Sequence, residues 1–286
     1  MKRLLFANLA LLAACGGTTT KSDAGVDAGP EPLANVKVAG TVRVFPDAVG
    51  VLADAGLTFG TNHLTVRVEE PFKVALNNPD GIFYTGTLDA TGVFSAPTVP
   101  TDLVTLGIAV GVRDDTSGGT YPLVVRSATT VYDVALNDGA KPSADLTGAK
   151  AWAVPYQFHQ ALTALITEAR IRTITGLNDA GTLITAGFVL GKVVDAQGNP
   201  VSGAVIEPIG ATGPARTARL FYPAADLKSL GTATSANGLF VYVHTGGDVD
   251  TFQFKLTGKA DYKQRSAGAA KDACLVLTVF PGTVEP

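Results

Sequence analysis

The chain has 286 residues, a formal net charge of −3, 46% hydrophobic and 7% aromatic residues, and two cysteines. A mildly acidic chain with no basic cluster is a poor partner for nucleic acid, and this length and apolar content allow one large or two ordinary domains. With one cysteine placed at position 15 in an N-terminal segment and the other at 274, an internal disulfide framework is not the expected source of stability.

At the start, Lys2 and Arg3 precede an apolar run from Leu4 to Ala14 that only Asn8 interrupts. A basic start before a short greasy run is an export signal. About eleven residues span roughly 17 Å as a helix, against a hydrocarbon core of about 30 Å, so the run is too short for a membrane span. It ends in Leu12-Ala13-Ala14-Cys15-Gly16, which resembles the lipobox of bacterial lipoproteins. The resemblance implies a signal peptide over 1–14 and cleavage before Cys15. The Cys15 thiol would carry covalent lipid, the one non-protein group expected here. At ~0.8 kcal/mol per buried methylene, several acyl chains make such an anchor effectively permanent. Gly16 in place of Asp implies, by the Gram-negative sorting rule, the outer membrane, facing either the periplasm or the exterior.

Residues 15–34 continue in Gly, Ala, Thr, Asp and Pro with little to bury, the composition of a flexible tether. Asp23 and Asp27 fall in this stretch, but two carboxylates lack the six to eight oxygens that calcium takes. From Val36 the texture changes to short β-branched runs between turn residues, over 36–44, 64–68, 104–112 and 129–136. It returns over 183–194, 203–209, 239–243, 251–256 and 274–280. Between these regions Phe158, Ala161, Leu162, Leu165, Ile166 and Ala169 recur at three and four, which predicts one amphipathic helix from Tyr156 to Arg172. Pro155 precedes it, Gly176 follows it, and Trp152 is placed to help dock it against the sheets.

In the second β region the order Gly191-x-Val193, then Asp195, Gly198 and Pro200, then Gly203, Ala204 and Ile206, then Gly238-x-Phe240 resembles the carboxypeptidase regulatory-like domain, a small transthyretin-like β-sandwich. A looser copy lies upstream in residues 40–47, 64–68 and 86–97, where Gly92 and Phe94 match Gly238 and Phe240. The turn has its own physical reason, since Gly supplies positive φ and Pro presets φ between two strands. Phe94 and Phe240 each begin an alternating run and should point inward as core anchors. The expected fold is therefore mainly β, with two transthyretin-like antiparallel β-sandwiches (35–147 and 183–286) joined by a helical connector (148–182).

Candidate chemistry is sparse. None of His63, His159 and His244 sits in an H-x-x-E or H-E-x-x-H pattern, no serine lies in G-x-S-x-G or S-x-x-K, and no phosphate-binding glycine motif occurs. No catalytic residue and no metal ligand is assigned, including in His244-Thr-Gly-Gly-Asp248, which reads as a turn. Cys274 heads an apolar strand and reads as buried and inert. The stretch 207–231 is longer than a hairpin requires, and its Arg216, Arg219, Phe221 and Tyr222 form a candidate binding loop. The function expected is that of a non-enzymatic envelope lipoprotein serving in structure, adhesion or interaction with another envelope or surface protein. The alternative is a binder of a small ligand or glycan through the 207–231 loop.

Overall fold

Alternating β-branched residues make strands wherever one face can be buried, and the pattern of burial shows which neighbours each strand finds. A computed structural model describes residues 31–116, 123–209 and 213–286. Cys15, the signal segment and the tether as far as residue 30 lie outside the described residues. In the last two residues of the stretch expected to be a tether, the Leu33 N–H donates to the Pro142 carbonyl at 3.1 Å, and the Ala34 carbonyl accepts from the Thr101 N–H at 3.0 Å.

The strands of the first half are β1 (Asn35–Val44), β2 (Thr65–Glu69), β3 (Ile82–Thr87), β4 (Val93–Pro100), β5 (Gly107–Arg113), β6 (Val124–Val125), β7 (Ser127–Asp133) and β8 (Leu146–Pro155). Those of the second are β9 (Phe188–Val193), β10 (Ile206–Ile209), β11 (Leu220–Pro223), β12 (Leu230–Gly231), β13 (Leu239–Val243), β14 (Asp250–Leu256), β15 (Arg265–Ala269) and β16 (Cys274–Val279). They form a four-stranded sheet (β4-β1-β8-β6), a three-stranded sheet (β10-β14-β15) and a nine-stranded sheet (β12-β11-β13-β9-β16-β7-β5-β2-β3).

The fold is mainly β, as expected, and three features differ from expectation. The sheets are mixed, because β1 runs parallel to β8, and β16 runs parallel to both β9 and β7. The β16–β7 pairing, Cys274 opposite Ser127 through Val276 opposite Thr129, fuses one sheet of each half into the nine-stranded layer. Pro32–Pro286 accordingly form one compact unit instead of two sandwiches on a connector. The boundary drawn at 147/148 falls inside β8, which pairs with β1 from Val38 to Val44.

The expected single helix is the third difference. A helix over Tyr156–Ile166 is followed by another over Glu168–Thr175, broken at Thr167, which takes φ +79° and accepts the Arg170 N–H on its hydroxyl. Periodicity continues through this break, so composition does not reveal it. Further short helices lie at Ala48–Asp54, Pro71–Ala75, Leu183–Ala186 and Gly213–Thr217, making six among the described residues. The run 183–194 begins with one of these, capped by reciprocal Thr182 and Thr185 bonds, before β9 starts.

Three large apolar clusters follow from this layering, and a small fourth joins Leu136, Val194 and Phe280. One fills the space between β1, β4 and β8 and the β2–β5 part of the long sheet, with Val38, Val42, Phe94, Val66 and Val110. Another lies between the three-stranded sheet and the other end of the long sheet, with Val189, Phe240, Phe254 and Leu277. The third packs the helices, through Phe158, Leu162, Ile166 and Ile171, onto Phe188, Leu190 and Val241. Every residue of β13 is buried, because it is covered on both faces. Trp152 meets Phe45 edge-on at 6.3 Å, and Phe45 stacks on Phe158 at 5.6 Å, so the tryptophan reaches the helix through an intermediary.

The internal repeat is visible in register. Phe94 lies opposite Gly40, and Phe240 opposite Gly191. Gly92 and Gly238 take φ +70° and +68°, and their carbonyls accept from the Val42 and Val193 N–H groups, both at 2.8 Å. The two lobes thus use one device, a left-handed glycine turn that launches a strand whose second residue is a buried phenylalanine.

Candidate functional site

Strand alternation gives the long sheet one face toward the four-stranded sheet and an opposite face toward the three-stranded one. Val66, Val68, Val110 and Val112 take the first. Along β2, β5 and β7 the second carries Arg67 beside Gly111 and Ala128, and Glu69 beside Ala109 and Thr130, with Arg113 opposite Thr65. The three-stranded sheet covers this face only beyond β7, at β16, β9 and β13. Where that cover stops there is a cleft of about 580 Å³. Its floor includes Glu69, Arg126 and Thr130, and its walls are the 71–77 helical segment on one side and the 266–275 strand segment on the other.

The Pro71–Ala75 helix is placed by Glu70, whose carboxylate accepts the Lys73 N–H at 2.7 Å and the Leu106 N–H at 2.9 Å. Pro71 fits the first helical position, where no N–H is needed. Beside it Glu69 is 3% exposed. Its carboxylate lies over Gly111, where an added Cβ would stand 3.0 Å from Oε1, so the glycine makes the room. Burial pushes the Glu69 carboxyl up, against the pull of Arg113, Arg126 and Arg67. The nearest guanidinium nitrogen, Arg113 Nη2, is 3.9 Å from Glu69 Oε2, too far for a hydrogen bond. Among the described residues, Glu69 Oε2, Arg67 Nε and Arg113 Nε have no hydrogen-bond partner. Nothing in the sequence reading singles out this cluster. Alternation in 64–69 separates Arg67 and Glu69 from the valines, but only topology brings Arg113 and Arg126 beside them.

The proposed binding-loop residues are placed differently. The 207–231 stretch is a correction to the loop reading, since it carries β11, β12 and a short helix over 213–217. Arg216 is 8% exposed, pairs with Asp250 through Nε–Oδ2 at 3.2 Å, and lies over the Phe252 ring. Arg219 Nη1 donates to the Tyr242 hydroxyl at 3.2 Å. Phe221 packs against the helix-side core. The Tyr222 hydroxyl accepts the Ile206 N–H at 2.9 Å and donates to the Ile206 carbonyl at 3.3 Å. All four side chains are engaged in holding the second lobe together.

Cys274 is buried, and burial pushes its thiol well above the ordinary range. His244 is 1% exposed, with burial holding its imidazole below the usual value. His159 is also 1% exposed; its Nε2 accepts the Ile184 N–H at 3.1 Å, fixing the helix to the 183–186 turn. Burial lowers its pKa to about 4. The unfolded chain binds this proton near pH 6.5 and the folded chain resists until about pH 4. Stability present above pH 6.5 is therefore lost as pH falls to 4, by about 1.4 kcal/mol per unit and about 3 kcal/mol in all. Urea midpoints at pH 7, 5.5 and 4 should show this slope, and His159→Gln should flatten it by that amount; an unchanged slope would refute the assignment.

No family model matches the sequence, and no curated protein matches it. Among solved structures the chain is similar to a streptococcal ancillary pilin, at 9% identity over 87% of this chain and 69% of the pilin, with a TM-score of 0.24. It is similar also to GBS52, the minor pilin of Streptococcus agalactiae, at 9% identity over 88% and 97% of the two chains, with a TM-score of 0.24. A variant of the shaft pilin SpaA from Lactobacillus rhamnosus GG matches at 10% identity over 87% and 99%, with a TM-score of 0.22. Superposition at this level is too poor to define a common topology.

Proposed function

We propose that the chain is a lipid-tethered, non-catalytic module of the bacterial cell envelope, serving in structure, adhesion or interaction with another envelope or surface protein. The observation that carries this reading is how the reactive side chains are used. Of the three histidines, His63 stands exposed in a turn and His159 and His244 are core residues; Cys274 is a buried strand residue with a raised pKa, and Arg216 is paired within the second lobe. A nucleophile or general base needs access and a pKa near the working pH, and the buried groups among these are committed to packing instead. The nine-stranded layer that runs through both lobes supports a scaffold role, because paired strands and a shared core hold distant surfaces in fixed relation.

The lipobox resemblance supplies the tether of this proposal, with Cys15 as the lipid-bearing residue. Radiolabelled palmitate should label the wild-type chain in a bacterial host, and Cys15→Ala should lose the label. Label retained by that variant would sink the lipoprotein reading. Protease treatment of intact cells, run alongside, separates a surface-facing module, which is cleaved, from a periplasmic one, which is protected.

A further inference from the structure

We propose that the cleft beside β7 is a binding site for a small organic anion, whose carboxylate or phosphate group is taken by the Arg126 guanidinium at its floor. The cavity, at about 580 Å³, has the size that small-molecule sites usually have, roughly 300–1,000 Å³. Arg126 lines it and is half-buried; its carbonyl accepts the Cys274 N–H at 3.0 Å, while its guanidinium makes no hydrogen bond or ion pair among the described residues. A guanidinium carries five donors in a fixed fork that matches an oxyanion, and this one lines the cleft with no protein acceptor among the described residues.

Charge balance gives the sign of the ligand. Three guanidinium groups, Arg67, Arg113 and Arg126, act on the buried Glu69 carboxylate, and the exposed Asp115 acts on Arg113, so three positive charges meet two negative ones, only one of them buried. Glu69 does not neutralise them by contact, and it leaves Arg67 Nε and Arg113 Nε without acceptors. A cationic ligand group aimed at Glu69 would have to enter among the three arginines, whereas an anion is attracted by all of them. The other charges that line the cleft, Asp248, Lys271 and Asp272, are exposed at its rim, where water screens them. Phe72, Val74 and Leu275 supply apolar wall for the ligand's carbon skeleton.

The test uses the full chain in detergent, titrated calorimetrically at low ionic strength with citrate and with inorganic phosphate. Saturable binding of at least one probe is expected, weakened tenfold or more by Arg126→Gln and strengthened by Glu69→Gln, which removes the competing negative charge. Arg43→Gln, on the outer face of the four-stranded sheet, should leave binding unchanged. Citrate alone would identify a carboxylate ligand, phosphate alone a phosphate ligand, and both a general oxyanion site. Absence of saturable binding of either probe, or binding indifferent to Arg126→Gln, would overturn the proposal. Arg126→Gln breaks no side-chain hydrogen bond but takes one cation from beside Glu69, so its melting is measured with its binding, and a folded variant that binds like wild type overturns the proposal; if Glu69→Gln fails to fold, the Arg126 comparison decides alone.

Discussion

Asp133→Ala lowers the unfolding free energy by about 3–5 kcal/mol, the usual cost of removing one member of a buried charge pair. Asp133, at the end of β7, is 1% exposed. One carboxylate oxygen accepts the Ala135 N–H at 3.0 Å and the Leu136 N–H at 3.3 Å, which shapes the turn that leaves β7. The other accepts the Ser266 N–H of β15 at 2.8 Å and lies 3.5 Å from Arg265 Nε. The residue therefore ties the first lobe to the second across a sequence separation that no turn could span. Alanine would leave three N–H groups without this acceptor and Arg265 as a buried charge held by its contact with the Phe280 ring and the attraction of Glu285.

Arg265→Met should cost less, because Asp133 keeps its three backbone donors and the already unpartnered Arg265 Nη1 is removed. Guanidinium denaturation of wild type and both variants measures the order. Equal losses would mean that the ion pair, not the backbone bonds, carries the joint. A loss below about 1 kcal/mol for Asp133→Ala would mean that Asp133 does not join the lobes.

Where local chemistry dictates structure, the sequence could be read closely. In the Asp195–Pro200 turn, the Asp195 carboxylate accepts the Gln197 and Asn199 N–H groups, both at 2.9 Å, and Gly198 takes φ +82°. These are turn preferences that residue types announce. The Gly92/Phe94 and Gly238/Phe240 match rests on the same kind of local demand. The fusion of the lobes is different in kind. It depends on Cys274–Val276 finding Ser127–Thr129 as parallel neighbours, a pairing between two apolar strands that each could have formed the edge of its own sandwich. β8 escaped notice because Leu146-Thr-Gly-Ala-Lys-Ala-Trp carries small and charged residues, although its inward positions Ala151 and Ala153 are buried. The cleft was hidden for a related reason. Arg67 and Glu69 show as the polar side of an alternating strand, which ordinarily faces water, and only the lateral offset of the three-stranded sheet turns that side into a cavity floor.

Phe240→Ala should cost about 3–5 kcal/mol, the upper range for emptying an aromatic site in a core. Phe240 is fully buried, meets Phe254 edge-on at 5.4 Å, and covers Gly191 so closely that a Cβ there would run into its ring. The cross-strand pair is thus a phenylalanine laid over a glycine, and neither member can change alone: Gly191→Ala displaces the ring, while Phe240→Ala leaves a cavity lined by Phe254 and glycine backbone that has no side chain to collapse into it. Phe94, 3% exposed, also stands opposite a glycine, Gly40, although a Cβ there would meet the Ala149 backbone and not the Phe94 ring. Because the two sites sit in different apolar clusters, their losses should add to within about 0.5 kcal/mol in the double variant. If the long sheet transmits folding between lobes, each single variant should still unfold in one transition, with its midpoint lowered and its slope unchanged. Two resolved transitions in Phe240→Ala would instead show that β16 joins two lobes able to melt separately.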